Sequence, residues 1–86
     1  MVFTPRTIYA AGERQDKHDG LGSWCARCQK NIGLSKEYYV PRIPIEKGGR
    51  YNTDNCVILC KKCSGEVGGF NHPNEIKFGE LPYFRI

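Results

Sequence analysis

The tetrapeptide CARC occupies residues 25–28 and the tetrapeptide CKKC occupies residues 60–63, with residues 29–59 between them. Each is a Cys-x2-Cys pair, and we call them the first and the second knuckle. Two-residue spacing lets both thiolates of a pair turn toward one ion, and two such pairs in a small domain are typical of a tetrahedral zinc site. The sequence therefore predicts one structural zinc ion, with the ligands Cys25, Cys28, Cys60 and Cys63.

The length of the chain explains why a metal would help. With 86 residues the chain can form one small domain but not two. In a core of that size apolar burial barely exceeds the entropic cost of ordering the chain, whereas structural zinc in finger peptides contributes roughly 10–16 kcal/mol at neutral pH. We expect a single domain with an N-terminal strand and loop at 1–23, a zinc module at 24–66 and an aromatic tail at 67–86.

The alternative for these cysteines is disulfide pairing in a secreted protein. Three features favour the metal: the first six residues lack the profile of a signal peptide, the cysteine count is five, and the two-residue spacing suits convergence on an ion. The longest wholly apolar run, residues 56–60, is far too short to cross a bilayer. We therefore expect a soluble cytoplasmic protein. The fifth cysteine, Cys56, is interpreted as a small core residue, with a reactive thiol as the alternative.

Positive charge is concentrated in the zinc module. The formal net charge of the chain is +4, and residues 25–63 carry eight basic against three acidic side chains. Such a surface suits an anionic partner, either phosphate or an acidic protein face, and an ordinary solvated surface is the alternative. The basic residues are Arg27, Lys30, Lys36, Arg42, Lys47, Arg50, Lys61 and Lys62.

Local patterns predict extended structure before the second knuckle. Residues 2–9 are interpreted as a strand that Pro5 restricts to a sheet edge, and residues 12–23 as a polar, glycine-rich loop leading to Trp24. Residues 34–45 are rich in aromatic and β-branched side chains and are interpreted as a second strand.

Turn and helix signals flank the second knuckle. The sequence KGGR at 47–50 predicts a turn, since glycine permits positive φ. The sequence NTD at 52–54 offers caps for a turn or short helix before the apolar segment 56–59. Residues 64–70 could begin a helix, which three glycines would keep short.

The order of these features resembles the zinc-containing HNH endonucleases, the ββα-metal finger family. The resemblance covers about residues 24–66 and is sharpest in PIEKGGRYNTDNCVILCKKC, residues 44–63. In the family this stretch reads as a proline, a Gly-Gly turn, an Asn that orients the finger (here Asn55), an apolar run and a Cys-x2-Cys pair. The resemblance implies a small α+β zinc-stabilised domain, an HNH-like ββα finger held by a four-cysteine zinc site, with short flanking strands.

The resemblance also implies where catalytic groups would lie. In active HNH members an Asp-His pair lies just before the proline that corresponds to Pro44. The His is the general base, and the Asp helps to hold a catalytic metal. Counting back from Pro44, those two positions here are Val40 and Pro41. A third position, a His or Asn after the last cysteine, is Ser64. Such a hydrolase needs a proton acceptor beside the attacking water and a ligand for its metal, and a closed four-cysteine site has no position open for water. We therefore predict that the chain is not an enzyme.

Four other side chains are candidate replacements for the lost groups. His18 precedes the first knuckle and His72 follows the second, so either could fold back toward the vacant positions. Glu37 and Glu46 flank the same positions. All four are interpreted as solvated surface groups, which leaves the prediction of a catalytically inactive scaffold in place.

Two kinds of binding follow as expectations. The first is docking on a nucleic-acid-processing protein or nucleoprotein, which the domain would modulate or inhibit; small proteins of this kind resemble phage or mobile-element accessory factors, including inhibitors of CRISPR nucleases. The alternative is a DNA-binding HNH-family protein that could retain residual endonuclease activity. In it the basic knuckles would face phosphate, and Tyr38, Tyr39 and Tyr51 would stack on bases or cover the backbone. At least one of Tyr38 and Tyr39 should instead pack inward, because adjacent strand residues point to opposite faces. No membrane or small-molecule partner is expected.

The tail favours the first kind of binding. Residues 81–86 (LPYFRI) contain four large apolar side chains, which would suit a protein partner if they were exposed. The alternative is that the tail pairs with the N-terminal strand and covers the core. The predicted binding surface consists of Arg27, Lys30, Arg42, Lys47, Arg50, Lys61, Lys62, Tyr83 and Phe84.

Overall fold

An antiparallel hairpin of two strands lies at the centre of the fold, between two helices. The computed structural model describes residues 3–14, 18–19, 22–32, 37–82 and 84. The elements in chain order are α1 (Pro5–Arg14), β1 (His18–Asp19), β2 (Gly22–Ser23), β3 (Tyr38–Pro41), β4 (Cys56–Leu59) and α2 (Lys61–Val67). Short 3₁₀ turns occupy Ile45–Lys47, Thr53–Asn55, Gly69–Asn71 and Phe78–Glu80. The protein is thus a small α+β domain, as the sequence predicted.

The central hairpin consists of β3 and β4, which pair from Tyr38 opposite Leu59 to Pro41 opposite Cys56. All four side chains of β4 are apolar and buried, because both faces of the strand are covered. Val57 and Leu59 pack in one core cluster, while Cys56 and Ile58 pack in a second, as the alternation of side chains along a strand requires. The burial of Cys56 confirms its interpretation as a core residue.

The strand predicted for residues 34–45 is only partly present. β3 spans Tyr38–Pro41, and the chain turns into a 3₁₀ conformation at Ile45–Lys47. Residues 33–36, which include Lys36, lie outside the described ranges.

The N-terminal strand predicted for residues 2–9 is wrong, because residues 5–14 form helix α1. Thr4 is the N-cap: its Oγ1 accepts a hydrogen bond from the backbone N–H of Thr7 at 3.2 Å. Pro5 occupies the first helical position, where its missing N–H leaves no helical bond unmade. Pro5 therefore starts a helix and does not mark a sheet edge.

Helix α1 covers the outer face of β4. Phe3 and Ala11 are buried in the cluster that contains Cys56 and Ile58, and Ile8 packs against it. This packing anchors the N-terminal part of the chain to the hairpin through apolar contact.

A long loop, residues 42–55, connects β3 to β4 and is organised by Asn55. Its side-chain Oδ1 accepts from the N–H of Ile43 at 2.7 Å, and its Nδ2 donates to the carbonyls of Ile43 at 3.0 Å and Arg50 at 3.1 Å. Gly48 has a φ of +96°, which favours glycine, and a Cβ on Gly49 would lie 1.9 Å from the Ile43 carbonyl oxygen. The predicted Gly-Gly turn is confirmed.

Capping residues delimit the 3₁₀ turn before β4 and the helix after it. Asn52 caps the 3₁₀ turn Thr53–Asn55, since its side chain accepts from the N–H of Asn55 at 3.1 Å. Helix α2 begins at Lys61, earlier than the start predicted within 64–70. It ends at Val67 because Gly68 adopts the left-handed conformation, with φ of 102°.

The tail folds back over the hairpin. The N–H of Ile76 donates to the carbonyl of Arg42 at 2.9 Å, and Ile76, Leu81 and Phe84 are buried in the same cluster as Cys25. Phe84 is only 8% exposed, so the expectation that it lies on an exposed docking patch is wrong. The tail covers the core, as the alternative proposed. It does not pair with an N-terminal strand, because that part of the chain forms helix α1. Tyr83 and residues 85–86 lie outside the described residues.

Candidate metal centre

The first knuckle is shaped by a tight backbone turn. The N–H of Gln29 donates to the carbonyl of Cys25 at 3.0 Å, and Gln29 closes the turn with a positive φ of 68°. The N–H of Cys28 points at the Sγ of Cys25 at 3.4 Å. The N–H of Ala26 donates to the carbonyl of Ile58 at 3.1 Å, which fixes the knuckle against β4.

The second knuckle joins the end of β4 to the start of α2. Cys60 is the N-cap of α2, and its Sγ accepts a hydrogen bond from the N–H of Cys63 at 3.4 Å. One turn of helix therefore places Cys63 on the same side as Cys60. The position of this knuckle follows directly from the buried strand before it.

Together the knuckles bring four sulfur atoms into one cluster. The Sγ atoms of all four cysteines lie within 4.8 Å of one another, and those of Cys28 and Cys60 are 3.6 Å apart. Cys25 and Cys63 are buried, while Cys28 and Cys60 are partly exposed. All four are free thiols. The prediction that both knuckles form one site that could hold a metal ion is confirmed.

Burial and neighbouring groups shift the pKa values of Cys28, Cys60 and Cys63. Burial opposes ionisation of Cys60, but the N–H of Cys63 and the neighbouring thiols outweigh it and lower the pKa of Cys60 to about 7. Burial is the main cause that raises the pKa of Cys63 to about 12, and it also raises the pKa of Cys28. Cys60 therefore ionises more readily than Cys28 or Cys63.

The donor set limits which ions fit. Four thiolates are soft ligands that suit zinc or an iron centre, whereas Mg²⁺ and Ca²⁺ prefer oxygen. Four protein ligands at a tetrahedral ion leave no coordination position for water. The positive charge of Arg27 opposes the effect of burial on the pKa of Cys63. These features are typical of a structural metal site.

The predicted basic surface divides into paired and exposed residues. Arg27 forms an ion pair with Glu66, and Arg42 Nη1 lies 2.9 Å from a carboxylate oxygen of Glu75. The Arg42 guanidinium also lies 4.2 Å from the centre of the Phe78 ring, and its side chain is only 12% exposed. Exposed positions are held by Lys30, Lys47, Arg50, Lys61 and Lys62.

The three positions that the HNH resemblance assigns to catalysis are all buried. Val40 is 1% exposed and packs with the apolar core, Pro41 is buried at the end of β3, and Ser64 is 6% exposed in α2. Asn55, which the resemblance also singled out, holds the loop before β4 through its bonds to Ile43.

His72 lies beside one of these positions, and its interpretation as a solvated surface group is wrong. The ring is 3% exposed, with Nε2 at hydrogen-bonding distance from the carbonyl of Pro41 and Nδ1 2.5 Å from the carbonyl of Asn74. Each ring nitrogen thus faces a backbone carbonyl, and the two carbonyls lie far apart in the sequence. His72 fixes the start of the tail to the end of β3, which sequence patterns could not reveal.

The other candidate replacements are placed differently. His18 lies in β1. Glu46 is exposed, and Glu37 accepts a hydrogen bond from the hydroxyl of Tyr39 at 3.0 Å.

The tyrosines divide between packing and exposure. Tyr38 is 42% exposed, whereas its neighbour Tyr39 is half-buried, as predicted for adjacent strand residues. Burial and the nearby carboxylate of Glu37 raise the pKa of Tyr39 to about 12. Tyr51 packs on Phe3 and Phe70, with ring centres 5.4 and 6.2 Å away.

Comparison of the sequence with known protein families and with curated proteins found no match. None of the helices in the described residues combines the length and the apolar character that crossing a membrane requires.

Proposed function

We propose that the protein is a non-catalytic zinc-binding module of HNH-like ββα architecture, which docks on a nucleic-acid-processing protein or nucleoprotein and modulates it. One observation carries the proposal: four thiols converge at one side of the hairpin, while Val40, Pro41 and Ser64 lie buried in the places where a nuclease of this type would need reacting groups. The side chains at those positions supply no general base, and the nearby His72 has its ring nitrogens against backbone carbonyls, so the scaffold acts by presenting a surface.

Zinc is the ion that we propose for the thiol cluster. It would be held by Cys25, Cys28, Cys60 and Cys63, and it would join the first knuckle to the start of α2. Because both knuckles also contact the main core cluster, the metal would stabilise the packing of the hairpin and the tail together. Thiolates of this kind persist in a reducing compartment, which agrees with a cytoplasmic location.

The succession of β3, loop, β4 and α2 supports the HNH-like part of the proposal. It has the order strand, Gly-Gly turn, Asn, strand and helix that the resemblance implies, and the second knuckle lies at the junction of the last two elements. Asn55 orients the loop through Ile43, the role that the family's Asn has.

The surface that we assign to docking surrounds the knuckles. Lys61 and Lys62 lie within the second knuckle and Lys30 follows the first, and all three are exposed. Each of these lysines is within two residues of a cysteine of the cluster, whose sulfurs lie within 4.8 Å of one another. The patch of Lys30, Lys61 and Lys62 would suit an acidic face of a protein or nucleoprotein.

Direct DNA binding is the second candidate. It is favoured by Lys47 and Arg50, which are exposed in the loop 42–55, and by the exposed ring of Tyr38. These groups could add phosphate contacts and a stacking surface to the lysine patch.

Charge reversal distinguishes the candidates. We would compare the wild-type protein with a Lys61→Glu/Lys62→Glu variant and with Lys77→Glu, a control at an exposed lysine in the tail. Docking predicts that binding to a bacterial nucleoprotein fraction survives nuclease treatment, is lost in the double variant and is kept in the control. Binding that disappears with nuclease, and whose affinity for DNA falls with salt on a log-log slope steeper than about −1, would favour DNA binding.

A plasmid assay tests the absence of catalysis. We expect no nicking of supercoiled DNA with Mg²⁺ or Mn²⁺. Nicking that Asn55→Ala or Ser64→Ala removes would contradict the non-catalytic proposal.

A further inference from the structure

Cys28 and Cys60 form a sulfur–sulfur contact between the two knuckles. Their Sγ atoms are 3.6 Å apart and belong to different knuckles. Both side chains are partly exposed, whereas Cys25 and Cys63 are 0% and 2% exposed. An oxidant arriving from solvent therefore meets this pair before the other two sulfurs.

The remaining cysteines are shielded. Cys25 is covered by the core cluster, and its sulfur accepts the N–H of Cys28. Cys63 lies in the same cluster with the Arg27 guanidinium beside it. Cys56 is buried in the second cluster, under α1. Of the five thiols, the two that are partly exposed also have sulfur atoms only 3.6 Å apart.

We propose that the domain is a redox switch, in which hydrogen peroxide converts Cys28 and Cys60 into a disulfide that joins the two knuckles and releases the metal. This inference rests on the zinc site of the proposed function. It assigns an oxidative modification to two of the four ligands and a structural role to the other two.

The chemistry balances with peroxide as the only oxidant. One thiolate attacks the peroxide: an S–O bond forms, the O–O bond breaks, and the departing hydroxide takes up a proton to give water. The second thiolate then attacks that sulfenic sulfur: an S–S bond forms, the S–O bond breaks, and the oxygen leaves as a second water after taking up another proton. The two sulfurs together lose two electrons, which the peroxide gains.

Metal release follows from the ligand count. A disulfide has an S–S distance of about 2.0 Å, so the two sulfurs must approach each other from the present 3.6 Å. Cys25 and Cys63 are then the only thiolates left, and two ligands cannot complete a tetrahedral site. The knuckles stay linked, but the free energy that the metal contributes to folding is lost. A dithiol reductant returns the four thiols and restores the site.

The test uses zinc-loaded, full-length protein titrated with hydrogen peroxide. Zinc release is followed with a chromogenic indicator, and the cross-links are mapped by mass spectrometry of unreduced peptides. We expect the first cross-link to join Cys28 to Cys60, with one zinc released per cross-link and full recovery of zinc binding after treatment with dithiothreitol. Cys56→Ala is the matched control, because it removes a thiol outside the cluster, and it should behave like the wild type.

Three results would overturn the switch while leaving the zinc proposal intact: a first cross-link within one knuckle, a cross-link that includes Cys56, or zinc that is retained until cysteines reach sulfinic acid. Protein that never takes up zinc would reject both proposals. The two failures are therefore distinguishable.

Discussion

The side chain of Asn55 binds the backbone of Ile43 through two hydrogen bonds, accepting from its N–H at 2.7 Å and donating to its carbonyl at 3.0 Å. A third bond reaches the carbonyl of Arg50. Asn55 is only 5% exposed, so water has little access to replace these bonds. One amide therefore fixes both arms of the loop that precedes β4.

Asn55→Ala should destabilise the zinc-loaded protein by roughly 2–4 kcal/mol, because it leaves buried backbone groups without partners. The measurement is the free energy of unfolding in urea. Asn71→Ala is the control, since Asn71 is an exposed asparagine in a 3₁₀ turn. Equal stability of the two variants would contradict the role of Asn55.

Gly49→Ala tests the close approach of the same loop. The new Cβ would lie 1.9 Å from the Ile43 carbonyl oxygen and 2.8 Å from Asn55 Nδ2, so the loop must shift and the Asn55 bonds must lengthen. We expect a loss of at least about 2 kcal/mol in the free energy of unfolding. Gly79→Ala meets nothing within 4 Å and should change stability by less than about 0.5 kcal/mol. A tolerated Gly49→Ala would show that the loop differs from this description.

Alkaline pH should destabilise the fold through Cys56. Burial raises the pKa of this thiol to about 12 from its ordinary 9.0, because the folded protein disfavours the thiolate. Below pH 9 both states keep the proton and the thiol has no effect on stability. Between pH 9 and 12 only the unfolded state loses the proton, so stability falls by up to about 1.4 kcal/mol per pH unit.

The measurement is urea unfolding from pH 8 to 11 in wild type and in Cys56→Ala. The variant lacks the titrating thiol, so its stability should fall less steeply with pH even though its stability at pH 8 is lower. Parallel curves would mean that Cys56 ionises equally in the folded and unfolded states, against its burial in the α1–β4 cluster.

His72→Phe should detach the start of the tail from β3. The substitution keeps an aromatic ring but removes the contacts of the ring nitrogens with the carbonyls of Pro41 and Asn74. We expect the free energy of unfolding to fall by roughly 1–3 kcal/mol. Amide hydrogen exchange is the readout: the N–H of Ile76, bonded to Arg42, should exchange faster, while that of Val57 in the central hairpin should change less. Equal protection at Ile76 in both proteins would exclude this role.

The sequence predicted the features that depend on neighbouring residues. The knuckles and the Gly-Gly turn are each encoded within a few residues, and both are present. The apolar segment 56–59, for which no strand was predicted, forms β4. The start of α1 is also encoded locally, by Thr4 as a cap and Pro5 at the first helical position. Interpreting that proline as a strand-edge signal was wrong.

Long-range contacts could not be predicted in this way. His72 and Pro41 approach only after the tail folds over the hairpin, and the same holds for Arg42 with Glu75 and for the burial of Phe84. Isolated apolar residues at a chain end have no periodic pattern. The sequence therefore does not distinguish a tail that covers the core from a tail that is exposed for docking on a partner. Basic residues also pair with carboxylates that are distant in the sequence. The net charge of the surface is therefore lower than a count of basic residues along the sequence suggests.

Metal analysis of the purified protein is the most direct test of the central claim, that the four thiols hold one zinc ion on which the fold depends. The account predicts one zinc per chain in the wild type and in Cys56→Ala, and loss of both zinc and folded structure in Cys60→Ala. Zinc-free wild-type protein that keeps its fold in the presence of a chelator would contradict it.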